Sequence, residues 1–188
     1  MNSSVREKGS IVLNSQDQVR FETIVLPHLD AAFNLARWLL RSGADAEDAS
    51  QEAMLRAFRF FDGFHGGDAR AWLLQIVRNT CFTWLEKNRH VKDATEFDEE
   101  LHGPPGPTPE SLAIKADSRG RLTHALASLP PRYREVIVLR ELEGCSYKEI
   151  ATITSIPIGT VMSRVSRARQ QLQLALTDPT QNEAIHEL

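Results

Sequence analysis

The sequence predicts an all-α protein of two small helical domains, an N-terminal helical bundle and a C-terminal helix-turn-helix domain, joined by an acidic, Pro/Gly-rich linker. Three observations carry that reading. Apolar residues recur at helical spacing along most of the 188 residues, and no stretch shows the alternation of a half-buried strand. From Val91 to Lys115 the composition turns acidic and then runs Gly103-Pro104-Pro105-Gly106-Pro107-Thr108-Pro109, with few apolar residues; such a segment cannot bury enough surface to fold alone, and its prolines keep it extended. The stretch Cys145 to Gln173 then reads as helix, tight corner, helix. The expected division is a tail over 1–17, a first domain over 18–91, a linker over 92–113, a second domain over 114–176 and a second tail over 177–188.

In the first domain, Phe21 to Arg41 carries an apolar stripe of Phe21, Ile24, Val25, Leu29, Ala32, Phe33, Ala36 and Leu40. Pro27 should kink or split this helix, because its ring removes a donor and clashes with the preceding turn. Gly43 is expected to close it as a left-handed cap. The next helix opens at Asp45, whose carboxylate can cap the first turn, and runs to Phe61 with Ala49, Ala53, Ala57, Phe58 and Phe61 inward. Its other side carries Asp48, Gln51, Glu52, Leu55 and Arg59. A leucine among exposed charges is either a protein contact or a stray apolar residue on a solvated face. Asp62 to Asp68, with three glycines, is a loop. Ala69 to Arg89 is a long helix, buried through Ala69, Trp72, Leu73, Ile76, Val77, Thr80, Trp84 and Leu85. Gln75, Arg78, Asn79, Phe82 and Glu86 lie opposite, and Phe82 among polar groups suits either a stacking surface for an unpaired base or packing against the first helix.

In the second domain a helix through Leu122, Ala125, Leu126 and Leu129 stops at Pro130-Pro131, and another runs from Arg132 to Leu142 before Gly144. Tyr147, Ile150, Ala151 and Thr154 mark the helix before the corner at Ser155 and Ile156, and Pro157 fits the first position of a new helix. Val161, Val165, Ala168 and Leu172 form the buried stripe of that last helix. Its outer positions include Thr160, Ser163, Arg164, Arg167 and Arg169, and no carboxylate occurs between Gly159 and Leu176. A solvated helix face normally mixes signs. Basic and hydroxyl groups without acids point to a polyanion, and this geometry suits the DNA major groove; the alternative is an ordinary helical hairpin.

The net charge of −3 does not argue against that, because charge is segregated. The six acids between Asp93 and Glu110, with no Lys or Arg among them, exceed the net charge, so the remainder is slightly basic. No apolar run is long enough for a membrane span, the first residues lack a secretion-signal core, and the isolated cysteines Cys81 and Cys145 suit a reducing cytoplasm. The six histidines are scattered, no Cys/His spacing suits zinc, and no glycine motif cradles a phosphate. No cofactor is expected, nor an enzyme; a Cys81/His90 nucleophilic pair, the best catalytic candidate, lacks a scaffold to orient it.

Two stretches carry a resemblance. The run from Ser128 to Leu172, SLPPRYREVIVLRELEGCSYKEIATITSIPIGTVMSRVSRARQQL, resembles the C-terminal DNA-binding domain of a bacterial sigma factor, and Asp45 to Arg89 resembles the promoter-melting domain. With its short length and acidic linker, the chain is similar to the extracytoplasmic-function (ECF, group 4) sigma factors of the sigma-70 family. That resemblance implies a docking surface at Asp48, Gln51, Glu52, Leu55 and Arg56 for the clamp coiled coil of the largest subunit of RNA polymerase core. It implies capture of an unstacked −10 base by the glycine loop (Phe64, His65, Gly66, Gly67) with Arg78 and Asn79, beside the candidate stacking ring of Phe82. It also implies −35 contacts from Thr160, Ser163, Arg164 and Arg167, with Arg169 on the same basic face. The linker resembles the segment threaded toward the polymerase active centre, and an anti-sigma factor is the implied inhibitor. Two positions depart from the family pattern: Ser155 stands where glycine is common at the corner, and Met162 where a lysine is frequent. The rival reading is a stand-alone helix-turn-helix regulator, which would need neither the α-helical docking face nor the base-capture loop.

Overall fold

In the computed structural model, residues 15–88 and 120–177 are described, and all their regular structure is helical. The expected linker and most of both expected tails lie outside the described residues. Helix α1 covers Ser15–Ile24, a 3₁₀ turn covers Leu26–His28, and α2 covers Leu29–Leu40. The break falls at Pro27, which has no amide hydrogen to extend α1. Leu29, expected inward, is 39% exposed, because the turn at Pro27 rotates it to the rim, while Leu35 and Leu39 fill the interior.

The junction after α2 differs from expectation. Arg41, not Gly43, is the left-handed residue, with φ 62°, a conformation that costs a non-glycine about 1–2 kcal/mol. Ser42, not Asp45, caps α3, which spans Gly43–Arg59: the Ser42 hydroxyl accepts from the Asp45 amide at 3.3 Å. Serine wins because its oxygen reaches an amide three residues ahead. Ala46, Ala49, Ala53 and Ala57 form the buried face of α3, and such small side chains let α2 and α4 pack close to it.

Phe21, Phe58, Phe61, Phe64 and Trp72 make one aromatic cluster, with ring centroids 5.0 to 6.3 Å apart. It joins α1, the end of α3 and the start of α4, which spans Ala69–Asn88. Asp68 caps α4 by accepting from the Ala71 amide at 3.0 Å. The buried arc of α4 is wider than one helix face: Ala71, Leu74 and Cys81 are fully buried, whereas Trp72, Ile76, Trp84 and Leu85 are half-buried. The reason is that α4 packs against α2 and α3 on one side and against the second group of helices on the other.

That second group begins with α5 over residues 120–128 and α6 over Pro131–Ile137, which has proline in its first turn, where no intrahelical donor is needed. The expected helix to Leu142 instead widens into a π turn over Val138–Leu142, in which the Glu143 amide bonds the Val138 carbonyl at 3.0 Å. Gly144 follows with φ 67°. Helix α7 spans Tyr147–Thr154 and α8 spans Ile158–Thr177. Ser146 and Glu149 form a reciprocal capping box at the start of α7. Pro157 sits one residue before α8, its carbonyl accepting from the Thr160 and Val161 amides.

The two groups of helices share a continuous core, with α2 against α6 and α4 against α7. Arg134 sits at that junction, 3% exposed. Its guanidinium donates to the Leu126 and Ala127 carbonyls in the last turn of α5, to the Leu129 carbonyl just after it, and to the Trp38 and Leu39 carbonyls ending α2. Helix ends leave such carbonyls without intrahelical donors. Burial pulls its pKa down to about 10, so it stays protonated at neutral pH.

Candidate polymerase and nucleic-acid interfaces

On α3, Asp48, Gln51, Glu52 and Leu55 are exposed, and Arg56 is half-buried with its Nε 2.7 Å from Glu52 Oε1. Leu55 is 59% exposed. It rims an apolar groove floored by Phe21, Phe33, Met54 and Phe58, with Asp30 and Glu47 at its edges. Ser50 also lines this groove, and its hydroxyl has no hydrogen-bond partner among the described residues. The exposure of this face follows from the helical spacing in the sequence, whereas the groove beside it arises only from the packing of α1 and α2 onto α3.

The residues expected at the −10 element are split. His65, Gly66 and Gly67 are exposed at the loop, whose left-handed glycines (φ 107° and 103°) adopt a conformation a side chain would strain. Phe64 is not presented to a ligand: it is buried against Phe61 and Trp72, and its carbonyl accepts from Arg20 at 2.9 Å. Arg78, Asn79 and Phe82 lie farther along α4; Phe82 is about 20 Å of helix rise from the loop end and lines a different cleft. Phe82 is half-buried with the Arg78 guanidinium 4.3 Å from its ring centre. Asn79 is exposed and accepts from Arg78 at 3.1 Å.

On α8, Thr160 is half-buried, and the Ser163 hydroxyl donates to its carbonyl at 3.0 Å. Arg167 is exposed with no ion pair among the described residues. Arg169 is held by Glu141 of the π turn at 2.6 Å, and Arg164 faces inward toward Glu135 at 3.4 Å. The corner residue Ser155 has φ 55°. That explains why glycine suits the position, and the serine adopts the same conformation. Met162 is 53% exposed, leaving an apolar side chain on the outer face.

Sequence reasoning missed Glu135. It is fully buried, with Oε2 2.9 Å from Arg78 Nε and Oε1 3.4 Å from Arg164 Nη1. Its spacing of four from Leu139 put it on the inner face of α6, the one signal available. Arg70 was missed as well: it donates to the Glu143 carbonyl at 2.7 Å and carboxylate at 2.8 Å, and lies 3.5 Å from Cys145 Sγ. Gln75 donates to the Thr152 carbonyl and to Ser155 Oγ. Burial pushes the Cys81 thiol up to about 12, which keeps it protonated and unreactive at neutral pH.

Among the described residues no group of His, Cys, Asp and Glu is arranged for a metal ion, and no helix is long and apolar enough to cross a membrane. Residues 24–91 match the Sigma-70 region 2 family and residues 119–172 match Sigma-70, region 4. The chain is 34% identical over 165 residues to the ECF RNA polymerase sigma-E factor of Escherichia coli K12, covering 83% of this chain and 86% of that protein. It is 33% identical over 154 residues to the ECF sigma factor SigE of Mycolicibacterium smegmatis, of which it spans only 60%, with 81% of this chain aligned. In structure it is similar to the sigma factor RpoE of Bartonella quintana, solved in complex with the anti-sigma factor NepR, with a TM-score of 0.71 and 31% identity over 84% of this chain and 96% of that one. With both sigma-70 regions in order and relatives at this identity, the chain belongs to the ECF RNA polymerase sigma factors.

Proposed function

We propose that this sigma factor divides its work between three surfaces. The exposed face of α3 docks on the clamp coiled coil of the largest subunit of core polymerase, with Leu55 as its apolar contact. The loop at His65 to Gly67, with Arg78, Asn79 and Phe82, holds the melted non-template strand of the −10 element. The outer face of α8, through Thr160, Ser163, Arg164, Arg167 and Arg169, reads and clamps the −35 duplex. Residues 18–91 and 114–176 act as the two promoter-binding domains on the linker 92–113. The chain performs no catalysis, works in the cytoplasm beside the polymerase, and supplies only position and strand capture.

The observation that carries this reading is α8: an acid-free outer face of basic and hydroxyl groups on the second helix of a helix-turn-helix. A bidentate arginine on guanine contributes about 1–3 kcal/mol of discrimination. Exposed Leu55 and the groove beside it favour the sigma reading over a stand-alone regulator, which has no use for them. We also infer an anti-sigma factor as inhibitor, seated on that groove and occluding the polymerase face; that the similar Bartonella sigma factor was solved with an anti-sigma factor supports such a partner. The test is transcription by purified core polymerase with and without the chain on fragmented genomic DNA. New start sites dependent on the chain are expected; none at all would end the proposal.

A further inference from the structure

Helix α8 opens with an apolar pair on its outward side. Ile158 is 45% exposed and Met162, one turn on, is 53% exposed; a spacing of four puts both on one face. Between Ile158 and Ser163 no other side chain is as long as that of Met162. Its exposed neighbours are Ser163, whose hydroxyl is donated to the Thr160 carbonyl, Ser166 and Arg167. Arg169, farther along, is tied to Glu141. The surroundings are basic and free of acids, so the face suits a polyanion. Yet its most prominent early side chain carries no charge and no proton to donate.

We propose that Met162 reads the −35 element by packing against the C5-methyl group of a thymine, and so sets the base preference at that pair. The inference rests on the assignment of α8 to the −35 duplex. Residues near the N-terminus of the second helix of a helix-turn-helix are the ones that reach base edges. In the major groove each edge presents donors and acceptors, and the thymine methyl is the apolar group among them. A thioether side chain set against any other edge strips water from those polar groups without replacing the lost bonds. Set against a thymine methyl, it buries apolar surface on both partners. Its unbranched, polarisable chain adjusts to the shape of the groove. Ile158 extends the same apolar strip by one turn. Discrimination at this position is by a methyl group, while Arg167 supplies the polar readout.

The test uses holoenzyme reconstituted from core polymerase and the full chain, on a promoter recovered from the genomic transcription experiment. Each thymine of its −35 element is replaced in turn by deoxyuridine, which deletes the methyl and keeps every hydrogen-bonding group. In competition binding, wild type should lose about three- to fivefold at one or two of those positions, the factor expected for one buried methyl group. Met162→Ala should bind the unmodified promoter more weakly by a similar factor and be indifferent to deoxyuridine at the same positions. Its exposure means the variant keeps the fold, which a thermal melt checks. The proposal is overturned if no deoxyuridine weakens wild type, if the −35 element holds no thymine, or if Met162→Ala stays as sensitive as wild type. An equal fall in core polymerase binding by Met162→Ala would also overturn it, by making the strip a protein contact. Arg167→Ala separates the two levels of the argument. If that variant binds every duplex as wild type does, α8 is not the −35 reader and the underlying assignment fails. If it weakens all of them while deoxyuridine has no effect, only the role of Met162 fails.

Discussion

Arg134 Nη1 donates to the Trp38 carbonyl at 3.1 Å, so a side chain of the second domain closes the end of a helix in the first. The same guanidinium serves four further carbonyls. Arg134→Met should lower stability by about 3–5 kcal/mol, because the buried acceptors lose a charged donor. Arg134→Lys should recover little of that, since three ammonium donors on one point cannot span five carbonyls as a planar fork does. Urea midpoints at constant slope measure both; a lysine variant as stable as wild type would contradict the fork argument.

The cap at the start of α7 predicts a pH dependence. The Glu149 carboxyl is held below its ordinary 4.5 by the Ser146 hydroxyl and amide, the latter 2.6 Å from Oε2. A depressed carboxyl contributes stability that is fully present above its unfolded value and is lost as pH falls through the folded one. Ser146→Ala should therefore cost about 1 kcal/mol at neutral pH. The gap to wild type should narrow as pH drops from 4.5 downward, read from thermal melts of both proteins at matched pH.

Leu55 separates binding from folding. As it is 59% exposed, Leu55→Glu should change stability by no more than about 0.5 kcal/mol. It should still weaken core polymerase binding at least tenfold, since it places a charge at the centre of an apolar contact. Titration calorimetry against core polymerase, with a melt as control, reads both numbers. Unaltered binding would remove α3 from the docking surface.

Arg167→Ala should weaken −35 recognition by about 1–3 kcal/mol while leaving core binding intact. The side chain is exposed and engaged in no ion pair among the described residues, so its loss should leave the melting temperature unchanged. Competition binding by holoenzyme on its own start sites is the measurement, and an equal fall in core binding would refute the separation of roles.

Local chemistry made much of this legible. The Pro27 break, the alanine face of α3, the glycine loop and the α8 stripe follow from periodicity and turn chemistry acting over a few residues. Exposed Leu55 was readable for the same reason. The α2–α3 junction was misread because serine and aspartate compete for one cap, and the winner depends on how sharply the chain reverses. Phe64 was read as ligand-facing, yet its ring is taken by Phe61 and Trp72, and the loop's glycines alone do not say which way a neighbouring aromatic turns.

By itself, the sequence determined an all-α chain with a basic, acid-free last helix and a charged face bearing a leucine, since helical period and charge order are properties of neighbours in the chain; its family was legible from the resemblance of two stretches. Only the tertiary structure decided that Arg78 and Arg164 would share Glu135 and that Arg134 would close α2. Those partners stand 57, 29 and 96 residues apart, and at such separations contact is set by how whole helices pack.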